Sequence, residues 1–272
     1  MDVKRIVTAL VGLPVIILLV ILGNKYIIDP VIAVIAAIAM YEYSKCIGNE
    51  DIKFIRWVGY LSAASIAFMH VVPEIVLNTV ITLGVPILLF LLFFTVIVTD
   101  MKTTFRDAAF SFVGIMYIIG FLGFLPLLYG ITGDISGKML IWFVLLSAWG
   151  TDIFAYLVGK HFGKHKFSKV SPNKTIEGCI GGVIGAILFT EICTYVMNKY
   201  FGMEFSYLTV GILTILLSLI GQVGDFAASV IKRHFGIKDF SELFPGHGGM
   251  LDRIDSVMFI APFAYFLLTI FL

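Results

Sequence analysis

Residues that could do chemistry concentrate between Ser229 and Asp255, SVIKRHFGIKDFSELFPGHGGMLDRID, in a chain that is otherwise mostly apolar. Four cations, Lys232, Arg233, Lys238 and Arg253, stand there against four carboxylates, Asp239, Glu242, Asp252 and Asp255, with His247 set between glycines. Asp252 and Asp255 are three residues apart, so on a helix they share a face. They open an apolar run, where a helix start leaves backbone N–H groups to be satisfied. Two carboxylates converging there suit a divalent cation such as Mg²⁺, which takes oxygen ligands and keeps waters and substrate phosphates as the rest of its shell. Upstream, Asp225, Ser229 and Lys232 fall at i, i+4 and i+7 and place a third carboxylate, a hydroxyl and a cation on one helix face. Between the two helices, Pro245-Gly246-His247-Gly248-Gly249 is a loop in which glycine lets the backbone approach a ligand closely. Metal, cations and bare backbone together suit a polyphosphate, with His247 read as a phosphate contact rather than a metal ligand.

A second group of polar residues lies upstream. Asp152, Tyr156 and Lys160 fall at i, i+4 and i+8, on one face of a helix, with Asp152 well inside an apolar run. A carboxylate at that depth costs about 3 kcal/mol unless it is paired or lines a wet cavity, which marks it as a site candidate. The following stretch, Lys160 to Gly178, holds five lysines against Glu177 alone. Such a run serves as an anchor on anionic lipid. Its Ser171-Pro172-Asn173-Lys174-Thr175 turn, feeding a helix at Ile176, equally suits a phosphate at a helix start. Two other patterns are set aside. Gly159 to Lys164 has three residues between its glycines where a phosphate-binding P-loop needs four, and His165 where a Mg²⁺-binding hydroxyl is required. Asn173-Lys174-Thr175 matches a glycosylation acceptor, yet it lies on the predicted cytoplasmic face.

The run from Ser229 to Asp255, S-x-x-K-R-x₄-K-D-x-S-x₂-F-P-G-H-G-G-x₂-D-R-x-D, resembles the signature of the phosphatidate cytidylyltransferases, also called CDP-diacylglycerol synthases, with no departure from the pattern. The upstream D-x₃-Y-x₂-G-K and S-P-x-K-T-x-E-G patterns are similar to that family as well. The resemblance implies transfer of a cytidylyl group from CTP to phosphatidic acid, with Mg²⁺ as cofactor and a second cation left open. It implies a catalytic set of Asp225, Lys232, Arg233, Asp252, Arg253 and Asp255, of which Asp225, Asp252 and Asp255 would be metal ligands. Substrate and phosphate contacts would come from Asp152, Tyr156, Ser171, Lys174, Thr175, Glu177, Ser229, Lys238, Asp239, His247, Gly248 and Gly249. Nothing in the pattern calls for nucleic acid.

These residues must be positioned by elements suited to lipid. The chain has 272 residues, 60% hydrophobic and 14% charged, with mean hydropathy +1.02, far from the half-apolar, quarter-charged make-up of soluble domains. The expected fold is therefore all-α, a polytopic integral membrane protein. Nine apolar segments stand out, at about 5–23, 27–43, 55–72, 75–98, 109–131, 139–159, 178–198, 206–228 and 254–272, near the length needed for a span. With nine spans and a cytoplasmic N-terminus, sixteen of the nineteen Lys and Arg fall inside, leaving Lys25, Lys138 and Lys199 outside. That follows the positive-inside rule. It puts every charged motif at the cytoplasmic ends of the last four spans and the C-terminus outside, in a cell inner or plasma membrane.

Residues 1–135 are expected to pack, anchor and mediate association, a homodimer included, while 136–272 form the catalytic region. The first segment has a signal-like basic start but no small-x-small cleavage site, and is read as a retained span. Gly178, Gly181, Gly182 and Gly185 predict close helix packing in lipid, and Gly221 to Asp225 predicts a break in the eighth span. Cys46, Cys179 and Cys193, odd in number and without a CxxC, predict neither disulfide framework nor zinc. Two rival readings remain: cytidylyl transfer to another lipid phosphate, and a transporter built on broken helices.

Overall fold

Lipid gives a backbone no hydrogen-bond partners, so each apolar segment must close its own bonds as a helix; in the computed structural model the apolar segments are helical, the third only as far as Ile66. It describes residues 3–132, 136–168 and 170–272, with side chains for all of these but 3–9, 11 and 49. Lys4, Arg5 and Lys169, counted above among the cytoplasmic cations, therefore lie outside the described side chains. The helices are α1 (Val3–Leu22), α2 (Lys25–Ile47), α3 (Arg56–Ile66), α4 (Glu74–Val98), α5 (Phe105–Leu122), α6 (Phe124–Tyr129), α7 (Gly137–Phe162), α8 (Ile176–Phe201), α9 (Tyr207–His234) and α10 (Leu251–Phe271). The fifth apolar segment divides into α5 and α6, and no strand occurs among the described residues.

The starts follow from local chemistry. Asn24 accepts the Ile27 N–H to cap α2, Thr104 and Asp107 form a reciprocal capping box at α5, and Thr175 caps α8 through the Gly178 N–H, each satisfying a donor that the first turn leaves over. Among the described residues seven helical stretches are long and apolar enough to cross a membrane: α2, α4, α5 with α6, α7, α8, α9 and α10. Of the other two expected spans, α3 has eleven residues, about 16 Å of helix, and the apolar stretch of α1 with described side chains runs Gly12–Leu22.

The chain divides into two compact units, Met1–Gly130 with His234–Arg253, and Ile131–Arg233 with Ile254–Leu272. In the first unit α2 is the central helix, with Ala36, Ala39, Met40, Tyr43, Cys46 and Ile47 buried along it. Gly114 of α5 leaves room for the Tyr43 ring, which meets Phe54 edge to face at 6.0 Å and donates its hydroxyl to the Phe110 carbonyl at 3.2 Å. The irregular stretch before α3 is held by side chains of α5: Asp107 accepts the Lys53 N–H at 2.7 Å and Ser111 the Ile55 N–H at 2.9 Å. At the other end of α2, buried Asp29 accepts the His70 backbone N–H at 3.0 Å and faces its ring Nδ1 at 2.9 Å. Helix α4 differs from its neighbours: 11% of its most apolar window is buried, against 33% to 56% in the other six, and its Phe90 and Phe94 stack outward at 6.0 Å.

In the second unit the glycines of α8 do what their spacing predicts. A Cβ at Gly178 would lie 2.8 Å from the Ala155 carbonyl of α7, and one at Gly182 2.9 Å from that of Thr151, so only bare backbone permits this approach. Hydroxyl pairs tie α9 to the same two helices, Thr151 to Ser218 at 2.6 Å and Thr190 to Thr214 at 2.9 Å, the interhelical hydrogen bonds that apolar solvent favours. The expected break at Gly221 to Asp225 is absent, and α9 runs unbroken from Tyr207 to His234. Its glycines instead admit α10: a Cβ at Gly224 would lie 2.7 Å from both the Asp255 carbonyl and the Phe259 Cβ, and one at Gly221 2.8 Å from Ile260. Backbone proximity, rather than unwinding, is what these glycines provide.

Candidate active site

The second unit assembles an acidic group from three helices. Asp255 of α10 is buried, at 8% exposure, and the carboxylates of Asp225 on α9 and Asp152 on α7 lie within electrostatic reach of it, together with the Lys232 ammonium. One Asp255 oxygen accepts the Ser256 N–H at 2.7 Å. Asp225 forms an ion pair with Lys174, whose ammonium also sits 4.2 Å above the Phe226 ring, and Phe226 stacks on Phe167 at 4.7 Å. Lys232 and Ser229 are buried on α9, whereas Arg233 is exposed and directs Nε towards the Val170 carbonyl at 3.5 Å. Asp152 is exposed despite lying inside α7, as a carboxylate at that depth must be if water reaches it.

The turn before α8 is largely self-contained. Glu177 accepts the backbone N–H groups of Lys164 and His165 and faces His165 Nδ1 at 2.6 Å. Thr175 is buried and spent on its cap, and the Ser171 carbonyl accepts the Lys174 N–H at 3.1 Å. Thus Ser171, Thr175 and Glu177 shape the loop that presents Lys174. Tyr156 is 65% exposed and lies under the Lys160 ammonium.

The first unit holds the glycine loop and the start of α10. Positive φ at Gly246 (79°) and Gly248 (81°) folds Phe244 to Gly248 into a tight turn closed by the Phe244 N–H on the Gly248 carbonyl and the His247 N–H on that of Phe244; such φ values favour glycine. Asp252 Oδ2 accepts the N–H groups of Phe240 at 2.8 Å and Gly249 at 2.9 Å, so this carboxylate ties both ends of the loop to the first turn of α10. A cavity of about 520 Å³ beside the loop is lined by Lys45, Cys46, Lys238 and Asp239 among others. Arg253 is exposed.

One residue here was passed over by the sequence reading. Glu42 of α2 is 1% exposed and accepts the Ser241 hydroxyl at 2.5 Å and the N–H groups of Met250 and Leu251, each at 2.8 Å. The signal was available, since Glu42 is a carboxylate in an apolar span and the rule that singled out Asp152 applies equally to it. Its role as a first-turn acceptor also means that these two donors of α10 are already satisfied.

Among the described residues no three His, Cys, Asp or Glu side chains form a ready-made metal shell. The donor set nevertheless fits a hard divalent cation. Asp225 and Asp255 are oxygen donors of the kind Mg²⁺ takes, one or two carboxylates with water and phosphate oxygens completing its octahedron.

Fold and site together define a helical protein with several membrane-spanning helices and a cluster of carboxylates and lysines among them. The chain belongs to the cytidylyltransferase family, whose model matches residues 3–271. It is 36% identical over 240 residues to a phosphatidate cytidylyltransferase of Staphylococcus saprophyticus, covering 85% of this chain and 86% of that protein. Proteins of the same name from Staphylococcus epidermidis and Staphylococcus aureus are 34% identical over 235 residues and 35% over 240, with the same coverage of both chains.

Proposed function

We propose that this protein is a Mg²⁺-dependent phosphatidate cytidylyltransferase, converting CTP and phosphatidic acid into CDP-diacylglycerol and pyrophosphate. The observation that carries this reading is the group of Asp152, Asp225 and Asp255 with Lys174 and Lys232, in a chain that matches the cytidylyltransferase family from end to end. Asp225 and Asp255 would hold the cation, with Asp252 as a third ligand. When bound, the cation neutralises charge on phosphate oxygens. The remaining work is positioning. Lys174 and Lys232 set positive charge beside the carboxylates, Arg233 and Arg253 offer exposed guanidinium groups for phosphate, and the 245–249 loop supplies backbone to the triphosphate.

Little covalent chemistry falls to the protein, because a phosphate monoester is already a nucleophile. An oxygen of the phosphatidate phosphate bonds to the α-phosphorus of CTP. The bond from that phosphorus to the oxygen bridging to the β-phosphorus breaks, and pyrophosphate leaves with the electron pair. A lipid acceptor and a cytosolic nucleotide meet most readily at a membrane face. The cation asymmetry of the sequence supports nine spans with the N-terminus and this face cytoplasmic and the C-terminus outside.

The test is pyrophosphate release by purified protein in mixed micelles with CTP, phosphatidic acid and Mg²⁺, beside Asp255→Asn and Asp252→Asn. Release is expected to need both substrates and to fall in each variant by more than the roughly 10–100-fold that a group behind a metal ligand is worth. Release only with a different lipid phosphate would keep the reaction class and overturn the acceptor. No release from folded protein with any lipid phosphate would sink the reading and favour transport.

A further inference from the structure

We propose that Glu42 is a positioning residue for this reaction, acting from α2 through the Ser241–Leu251 loop on Asp252; the proposal rests on the reading of Asp252 as a metal ligand.

The argument begins with burial. A carboxylate at 1% exposure is costly unless donors surround it, and Glu42 is given three: the Ser241 hydroxyl and the Met250 N–H on Oε1, and the Leu251 N–H on Oε2. Two of these are backbone donors at the N-terminal end of α10, where helix geometry leaves N–H groups over and a negative charge is favoured. Capping carboxylates ordinarily come from the residue just before a helix. This one comes from a helix about two hundred residues earlier in the chain, so within the first unit it fixes the residues that open α10 to α2.

The loop is thereby clasped twice. Glu42 holds Ser241, Met250 and Leu251, and Asp252 holds Phe240 and Gly249, so the two carboxylates grip adjoining residues at each end of the loop. Gly249 is packed between them: a Cβ there would lie 2.6 Å from both Glu42 oxygens. With Oδ2 of Asp252 engaged by two loop N–H groups, the orientation of that carboxylate depends on where the loop lies, and the loop lies where Glu42 puts it. Spreading a ligand's placement over a second layer of hydrogen bonds is how metal ligands are held in register.

Glu42→Gln keeps the size and one acceptor oxygen but turns an N–H₂ group towards the Leu251 N–H or the Met250 N–H. The full chain in detergent would be compared with this variant by three measurements: amide hydrogen exchange of residues 240–251, Mn²⁺ binding followed by its paramagnetic resonance, and steady-state kinetics with CTP and phosphatidic acid. Exchange should quicken at least about tenfold in 240–251 and stay unchanged in α7 and α8. Mn²⁺ binding should weaken by about 10–100-fold, and kcat should fall by a similar factor with KM for phosphatidic acid unchanged. Ser241→Ala removes a single donor and should fall between wild type and Glu42→Gln in all three, which keeps the proposal testable if the glutamine variant does not fold. Unchanged exchange in 240–251 would overturn it, and so would quickened exchange with Mn²⁺ affinity and kcat intact. Exchange and Mn²⁺ binding need no turnover, so an inactive wild-type protein would sink the proposed reaction while these two still decide the role of Glu42.

Discussion

At the scale of single residues, the acidic group works because opposite charges are matched closely. Lys174 is held by an ion pair to Asp225 and by the face of Phe226, so its ammonium is fixed in place before any phosphate arrives. Lys174→Ala should therefore lower kcat/KM for CTP by about tenfold or more, the worth of a charge-assisted hydrogen bond of about 1.5–3 kcal/mol, measured by pyrophosphate release; Lys174→Arg, bulkier over the ring, should not restore it. Gly249→Ala tests the clasp from the other side. Its methyl group meets both Glu42 oxygens, and overpacking of this kind costs about 1–3 kcal/mol, which thermal unfolding in detergent would read. The legibility of such residues in the sequence followed their spacing. Asp225, Ser229 and Lys232 could be placed on one face because helical periodicity is local, and the structure indeed keeps them on one unbroken helix. Glu42 could have been singled out as a carboxylate in an apolar span, but not given its partners, which are joined to it only by tertiary folding. Thr175 and Glu177 show the converse: their place in a phosphate-like motif was plain, while their engagement in a cap and a loop clasp is visible only in three dimensions.

At the scale of elements, hydropathy located the seven helical stretches that, among the described residues, are long and apolar enough to cross a membrane, since a bilayer leaves the backbone no alternative. It overlooked the shortness of α3, because apolar residues continue past Ile66 into turns that hydropathy alone cannot distinguish from helix. It also read glycine at 221 and 224 as a break, when the close approach of α10 was the cause. That distinction is testable. In Gly224→Val the added side chain meets the Asp255 carbonyl and Phe259, pushing α10 off α9 just where Asp255 faces Asp225. Turnover should fall by about 100-fold or more, while Gly202→Ala, at a helix end with open space around it, should lose stability modestly through its left-handed backbone and leave turnover within about threefold; both follow from unfolding and pyrophosphate assays on the same preparations.

At the scale of the whole molecule, the distribution of lysine and arginine sets an expected orientation that contacts within the fold do not address. In a chain with Cys46, Cys179 and Cys193 replaced by alanine, Lys238→Cys should react with a membrane-impermeant maleimide only from the cytoplasmic side, and Lys199→Cys only from outside. Labelling of both from one side would remove the proposed topology and leave the acidic group as it stands. A last consequence follows from the bareness of α4. Its twenty-five residues make about 37 Å of helix, against a hydrocarbon layer of about 30 Å. An excess of that size is met by tilting, kinking or local thickening of the bilayer, at a cost of a fraction of a kcal/mol per ångström. The face that α4 turns outward, with Phe90, Phe93 and Phe94 exposed along it, is thus a surface that acyl chains or a second membrane helix must cover.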